Sequence, residues 1–290
     1  MTQIAVLTPD PADKTYAGRW PEVLERLKAT LEETGATVVA TPWTDHVEDA
    51  SGLEGHELIL PVIAWGYHRD HARWLKACAT WTLADLPVAN PASVLGWNSD
   101  KTYLARLADQ GVSIPPTRWS DGVTQDQVDA AFAETGAPTL IVKPTVSAGA
   151  FRTLRMTPGQ VLTDAPEGPA MIQPYLKSIE TEGETSLLFF GGRFSHAVNK
   201  RPVPGDFRIQ IQFGGLYRAV TPDDAALALA EQVLAAVEEP LLYARIDLAR
   251  DDAGAWVLME AELIEPDFYL DHDPANGAGF ARAVNDRLGG

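Results

Sequence analysis

The stretch "YARIDLARDDAGAWVLMEAELIEP", residues 243–266, reads as two strands joined by a turn. Side chains on a strand alternate between its two faces. In the first strand Leu242, Ala244, Ile246 and Leu248 share one face, and Tyr243, Arg245 and Asp247 share the other. In the second, Val257, Met259, Ala261 and Leu263 form an apolar face, with Trp256, Leu258, Glu260, Glu262 and Ile264 opposite. The intervening "DDAGA" carries a turn signal at Gly254. A hairpin centred between Ala253 and Gly254 places Asp247 directly across from Glu260. Facing like charges destabilise a sheet, so Asp247, Glu260 and Glu262 on one face call for a compensating cation. A donor set made only of carboxylate oxygens suits a hard metal, Mg²⁺ first and Mn²⁺ second. The competing reading is a solvated outer face of an acidic protein.

The chain has 290 residues, enough for a sizeable core and, by length, about two to three domains. No run approaches the roughly 18 apolar residues of a membrane span, and "MTQIAVLTPD" has no basic segment leading into an apolar signal core. Cys78 is the only cysteine, which excludes internal disulfides and thiolate metal clusters. The expected location is the cytoplasm. A net charge of −17 argues against nucleic acid or an anionic membrane as partner. It leaves room for a nucleotide, whose phosphates need only a few local cations and backbone amides.

Upstream, "IAVLTP", "ATVVATPW" and "HELILPVIAW" read as strands separated by the helix "WPEVLERLKATLEETG" and followed by the helix "GYHRDHARWLKACATW". This βαβ pattern predicts a small parallel sheet with ligands near its carboxyl ends. The loops leaving those ends offer Tyr16, Arg19, Tyr67, His68 and Arg69 as substrate contacts or as ordinary surface residues. A new unit starts near residue 98, where Ser99 is expected to cap a helix that runs to Gln110. "APTLIVKPTVSAGAFRTLRM" then reads as strand, small-residue loop and strand, with Lys143 just before the loop of Ser147, Ala148, Gly149 and Ala150. Small residues let a backbone close over phosphates, and a nearby ammonium neutralises them. A plain hairpin with a flexible loop reads the same way. Further on come a Gly191-Gly192 hairpin and a helix with Thr221 as its cap and Pro222 at its first position. His196, in a hairpin strand, reads as structural. The domain boundaries implied are 1–97, 98–178 and 179–290.

Five spaced elements, "DKTYLARLADQGVSIPPT", "LIVKP", "IQPYL", "KRPVPGDFRIQ" and "RIDLAR…LMEAE", resemble the ATP-grasp superfamily of carboxylate–amine ligases in the order of their parts. The resemblance implies an α/β (α+β) fold in which a small N-terminal parallel domain precedes two α+β subdomains that sandwich ATP. It also implies that Lys101 and Lys143 contact phosphates under the loop of Ser147 and Gly149. Gln173, with the backbone near Tyr175 and Leu176, would read the adenine edge, and Glu184 would hold the ribose. Asp247 and Glu260, with Glu262, would carry Mg²⁺. "KRPVPGDFRIQ" is similar to the phosphate- and substrate-contacting stretch of ribosomal-protein glutamate ligases, which points to Lys200, Arg201 and Arg208 as catalytic. The family usually ends its metal strand Glu-x-Asn, whereas here the third position is Glu262, and "LIEPDFYL" replaces a small glycine-containing loop. "GDFR" together with "ELIEPD" looks like the branch of small enzymes that includes a cycloserine-forming ligase, where a carboxylate is attacked within its own molecule. The implied partners are small-molecule carboxylate and amine substrates, with a homodimer left open. The alternatives are a phosphotransferase acting on a hydroxyl and an ATP-binding sensor without turnover.

Overall fold

Apolar runs too short for helices alternate with amphipathic stretches, and the first of them pair in parallel. The computed structural model describes residues 2–149, 151–203, 208–209 and 214–289. Strands β1 (Gln3–Thr8), β2 (Thr37–Pro42) and β3 (Leu58–Leu60) form a parallel sheet in the order β2-β1-β3, with helix α1 (Trp20–Glu32) crossing between the first two. The third strand is shorter than the run "HELILPVIAW" implies. Pro61 has no N–H to donate to a ladder, and Val62, Ile63 and Ala64 are buried as irregular chain instead. Helix α2 (His71–Leu83) starts where the Asp70 carboxylate accepts from the Arg73 N–H at 3.2 Å.

The expected helix from Ser99 to Gln110 is two shorter ones, α3 (Ala92–Asn98) and α4 (Tyr103–Asp109). Ser99 ends the first, its hydroxyl donating to the Gly96 carbonyl at 2.6 Å. The break at Lys101 has a tertiary cause: its N–H donates to the Thr145 carbonyl at 2.9 Å rather than into a helix. Next come β4 (Arg118–Ser120), α5 (Gln125–Thr135), β5 (Leu140–Pro144), β6 (Leu154–Met156) and β7 (Ala170–Pro174). Their antiparallel sheet runs β4-β7-β5-β6, covered by Val128 and Ala131 of α5. A capping box between Thr124 and Gln127 begins α5.

After the single turn α6 (Ser178–Thr181), the strands β8 (Glu184–Phe190), β9 (Arg193–Arg201) and β10 (Leu216–Val220), helix α7 (Asp224–Ala235), and strands β11 (Tyr243–Arg250) and β12 (Trp256–Glu262) form the third unit. Helix α8 (Ala278–Arg287) closes the chain. The sheet order is β10-β9-β8-β11-β12. Helix α7 is capped by Asp223, which accepts from the Ala226 N–H at 2.8 Å, two residues later than the Thr221 cap expected. Strand β12 lies at the sheet edge, and its outward backbone groups are met by other parts of the chain. Asn98 bonds the Ala261 carbonyl and the Leu263 N–H, Tyr103 accepts from the Ala261 N–H, and Ser113 accepts from the Leu258 N–H. An edge satisfied in this way is held in place and closed to another strand.

The β11–β12 hairpin pairs Asp247 with Glu260 and Arg245 with Glu262, as the sequence reading required. Nearer the turn the register changes to Leu248 with Leu258, leaving Met259 as the extra residue of a β-bulge. The turn is therefore one residue shorter than expected, closed by the Asp251 N–H to the Ala255 carbonyl, and the bulge restores the carboxylate pair. It also corrects the expected faces. Leu258 packs with Leu248, Ala261 and Leu263 under α7, while Val257 and Met259 lie on the other side with Ala249 and Leu176. One inserted residue transfers every side chain before it to the opposite face.

The parallel sheet and the last strands share one core. Ile4, Val6 and Leu58 pack in a single cluster with Phe190, Phe268 and Phe280, and the Phe268 and Phe280 rings stand 4.8 Å apart. Among the described residues no helix is long and apolar enough to cross a membrane.

Candidate active site

A cavity of about 1070 Å³ opens where the three sheets meet. Its walls are the loops at the carboxyl ends of the parallel sheet, the β5 and β7 face with the loop after β5, and the β8, β9, β11 and β12 face. Every residue proposed for the site from the sequence lines it except Arg201. Strand alternation explains the exception. Lys200 turns into the cavity, so Arg201 turns away, its Nε donating to the Glu182 carbonyl at 3.0 Å and to Asn199 Oδ1 at 3.1 Å. Arg208 lines the cavity, while residues 204–207 and 210 of "KRPVPGDFRIQ" lie outside the described part.

At the centre, one oxygen each of Asp247, Glu260 and Glu262 lie within 4.8 Å of one another. Such a spacing, with oxygen donors alone, fits a hard divalent cation. The protein already supplies positive charge to each carboxylate. Lys200 Nζ stands 3.1 Å from Asp247 and 2.7 Å from Glu184, and Arg245 Nη2 bonds both Asp247, at 3.0 Å, and Glu262. Lys101 Nζ is 2.8 Å from Glu260 Oε1. Burial alone would raise the Asp247 pKa, but Arg245, Lys200 and the Ser186 hydroxyl hold it far below the usual carboxylate range. Burial wins at Glu262: with Glu260 and Asp247 nearby it is pushed up to about 7 despite Arg245. Lys200 is also deeply buried, yet Asp247 and Glu184 keep it protonated well above its ordinary range. Glu262 and Asp247 therefore share one counter-ion, the Arg245 guanidinium.

The register of β8 on β9 depends on Gly183. A Cβ there would lie 2.6 Å from the Lys200 carbonyl oxygen, and φ is +91°, so glycine lets Glu184 settle opposite Lys200. On the second sheet, Lys143 and Gln173 project from β5 and β7. Burial pushes the Lys143 pKa down. Gln173 is buried, its Nε2 donating to Thr117 Oγ1 at 2.9 Å. The Tyr175 N–H is taken by the Thr139 carbonyl at 2.9 Å, so an adenine edge reading this segment would use its carbonyl or the Leu176 amide. Lys101 Nζ also donates to the Ser147 carbonyl at 2.8 Å, fastening the small-residue loop at its base.

Tyr16, Arg19, Tyr67, His68 and Arg69, offered by the N-terminal loops, all line the cavity, joined by Trp65. Asp13 fixes Arg69 at 2.9 Å, and the Arg69 guanidinium lies 5.2 Å above the Tyr16 ring. The His68 ring meets Phe151 of the small-residue loop with centroids 6.2 Å apart, bridging the two rims. The sequence reading gave no role to Glu265, Phe151 or Trp65. Glu265 was detectable as a carboxylate inside the apolar run "LIEPDFYL", three positions past the end of β12. His196 is structural as expected: it is buried, with Nε2 at 2.9 Å from the Phe268 carbonyl.

No family model matches the chain. The cycloserine biosynthesis protein DcsG of Streptomyces lavendulae is 28% identical over 289 residues, spanning 92% of this chain and 93% of that protein. The crystal structure of D-cycloserine synthetase DcsG superposes with a TM-score of 0.83 at 25% identity, covering 99% of both chains. D-alanine–D-alanine ligase from Bacillus anthracis complexed with ATP superposes with a TM-score of 0.70 over 99% of this chain and 96% of that one, and at 14% identity this likeness shows the fold alone. Sequence and fold together make this chain a homologue of DcsG, with the fold of the ATP-grasp ligases.

Proposed function

We propose that this protein is a Mg²⁺- and ATP-dependent ligase that activates the carboxylate of a small amino-acid-like substrate and closes it onto an amine of the same molecule, as the name D-cycloserine synthetase implies for its relative. The observation that carries the reading is the meeting in one cavity of a three-carboxylate cluster with Lys101, Lys143 and Arg208. The units 1–97, 98–178 and 179–290 then serve as substrate wall, nucleotide clamp and metal-bearing half.

ATP and a carboxylate repel one another, so catalysis of phosphoryl transfer is mostly positioning and charge compensation. Bound by Asp247, Glu260 and Glu262, Mg²⁺ would neutralise phosphate oxygens. Lys101, Lys143 and Arg208 provide the positive charge that the transferring phosphoryl group needs as it leaves ADP for the carboxylate oxygen. The amine nitrogen then attacks the acyl carbon, phosphate departs, and the nitrogen loses a proton. Water must be kept from the acyl phosphate, and Phe151 against His68 supports a role for the small-residue loop as the cover. The test is ADP release over a panel of amino-acid-like carboxylates carrying a second amine within ring-closing reach. The expected product has the substrate's mass less one water. ADP release with no dehydrated product would overturn the ring-closing reading.

A further inference from the structure

Glu265 stands apart from the charge network around it. It lines the cavity, yet among the described residues it forms no hydrogen bond and no ion pair. It is not one of the carboxylates whose oxygens converge within 4.8 Å for a metal. The cations around it are committed elsewhere: Arg245 to Asp247 and Glu262, Lys101 to Glu260, Arg69 to Asp13, and Arg19 to Asp267 at 3.5 Å. Burial, with Glu262 and Glu260 nearby, raises its pKa well above the carboxylate range, and Glu265 adds to burial in raising those of Tyr67 and Tyr16. Glu265 lines the same cavity as the three carboxylates and the aromatic side chains of Tyr16, Trp65 and Tyr67. Glu265 is half-buried at the cavity wall; a carboxylate there without a cation of its own attracts a positively charged ligand, and aromatic faces favour a cation.

We propose that Glu265 is the ammonium subsite of the ligase, taking the α-amino group of an amino-acid substrate against the Tyr16–Trp65–Tyr67 wall. This rests on the ligase reading in one respect, that the cavity accepts an amino acid. The substrate is thereby given a direction, with its carboxylate toward Lys101, Lys143 and Arg208 and its ammonium toward Glu265. A ligand cation also supplies the charge that the empty subsite lacks.

The test is equilibrium binding in the presence of Mg²⁺ and ADP, without turnover. Two probe pairs differ only in the amino group: D-cycloserine against isoxazolidin-3-one, and D-alanine against propionate. In the wild-type protein at least one amine-bearing probe should bind about tenfold or more tightly than its partner, as expected for a charge-assisted contact. Glu265→Gln should abolish that preference, and Glu265→Asp, which keeps the charge, should retain part of it. The melting temperature of each variant confirms folding. Equal binding within both pairs, a preference that survives in Glu265→Gln, or no binding of any probe would overturn the subsite. Failure of the ligase reading is seen separately, as absence of ADP release.

Discussion

Lys101 Nζ lies 2.8 Å from Glu260 Oε1, and the same ammonium holds the Ser147 carbonyl at 2.8 Å. One buried cation thus ties the small-residue loop to β12. Phosphates or a metal ion at this point would compete for both ends of the tie: the metal for Glu260, the phosphate for Lys101. Loop position and site occupancy would then be coupled through a single side chain.

Replacing Glu260 by Gln tests that coupling. Relief of the Glu260–Asp247 repulsion alone would stabilise the protein, but Glu260 also neutralises Lys101 and lowers the cost of burying Lys143. The Glu260 side chain is 31% exposed, so a screened pair is worth about 1 kcal/mol or less. Urea unfolding of the ligand-free protein should therefore show Glu260→Gln unchanged or destabilised by at most that amount. ADP release should fall by at least about a hundredfold, since a neutral amide is a poorer Mg²⁺ ligand. Turnover near the wild-type rate would remove Glu260 from the metal set.

Asp247→Asn should behave in the opposite way in the empty protein. Asp247 is 2% exposed and receives Arg245, Lys200 and Ser186. Breaking a buried pair by removing one partner costs about 3–5 kcal/mol. A loss of that size in urea unfolding, with or without Mg²⁺, is expected for Asp247→Asn and not for Glu260→Gln. Equal stability of the two variants would mean that the Arg245–Asp247–Lys200 network does not hold the sheet.

A non-hydrolysable ATP analogue with Mg²⁺ should raise the melting temperature, because a ligand that binds only the folded state stabilises it. Lys143→Ala should lose most of that rise while its ligand-free melting point changes little. Burial already disfavours the Lys143 charge, so removing the ammonium should cost the fold little. A full rise in the variant would assign phosphate binding to Lys101 and Arg208 alone.

The acidic hairpin was legible because charge and period-two alternation coincide in one short stretch, and its Asp247–Glu260 pair survived a bulge that alternation cannot show. Strict alternation placed Leu258 beside the carboxylates, whereas one extra residue, Met259, returns it to the core. The Ser99 helix start failed for another reason. The hydrogen bond from Lys101 to Thr145 that interrupts the helix joins residues far apart in sequence. Arg201 was placed by its neighbours in a motif, and β9 turns it away from Lys200. Glu265 carries no motif; its character comes from the absence of a partner, which only the packed structure reveals.

The last prediction concerns pH. His68 lines the cavity, and its Nδ1 is buried with no hydrogen-bond partner among the described residues. Burial, aided by Arg69 and Lys101, lowers its pKa from 6.5 to about 4. The unfolded chain therefore binds a proton near pH 6.5 that the folded protein refuses until about pH 4. Stability from His68 is full above pH 6.5 and is lost as pH falls through that window, by about 3 kcal/mol at most. Glu262 acts in the opposite sense: its folded value is raised to about 7, so it gains a proton more readily in the folded state, and stability rises as pH falls toward 4.5. The total profile mixes both slopes, and the difference between the wild type and His68→Gln isolates one of them. Urea unfolding at a series of pH values should show the variant losing less stability than the wild type between pH 6.5 and 4. Parallel profiles would mean that His68 takes up its proton at the same pH in the folded and unfolded states, so that burial does not hold the ring neutral.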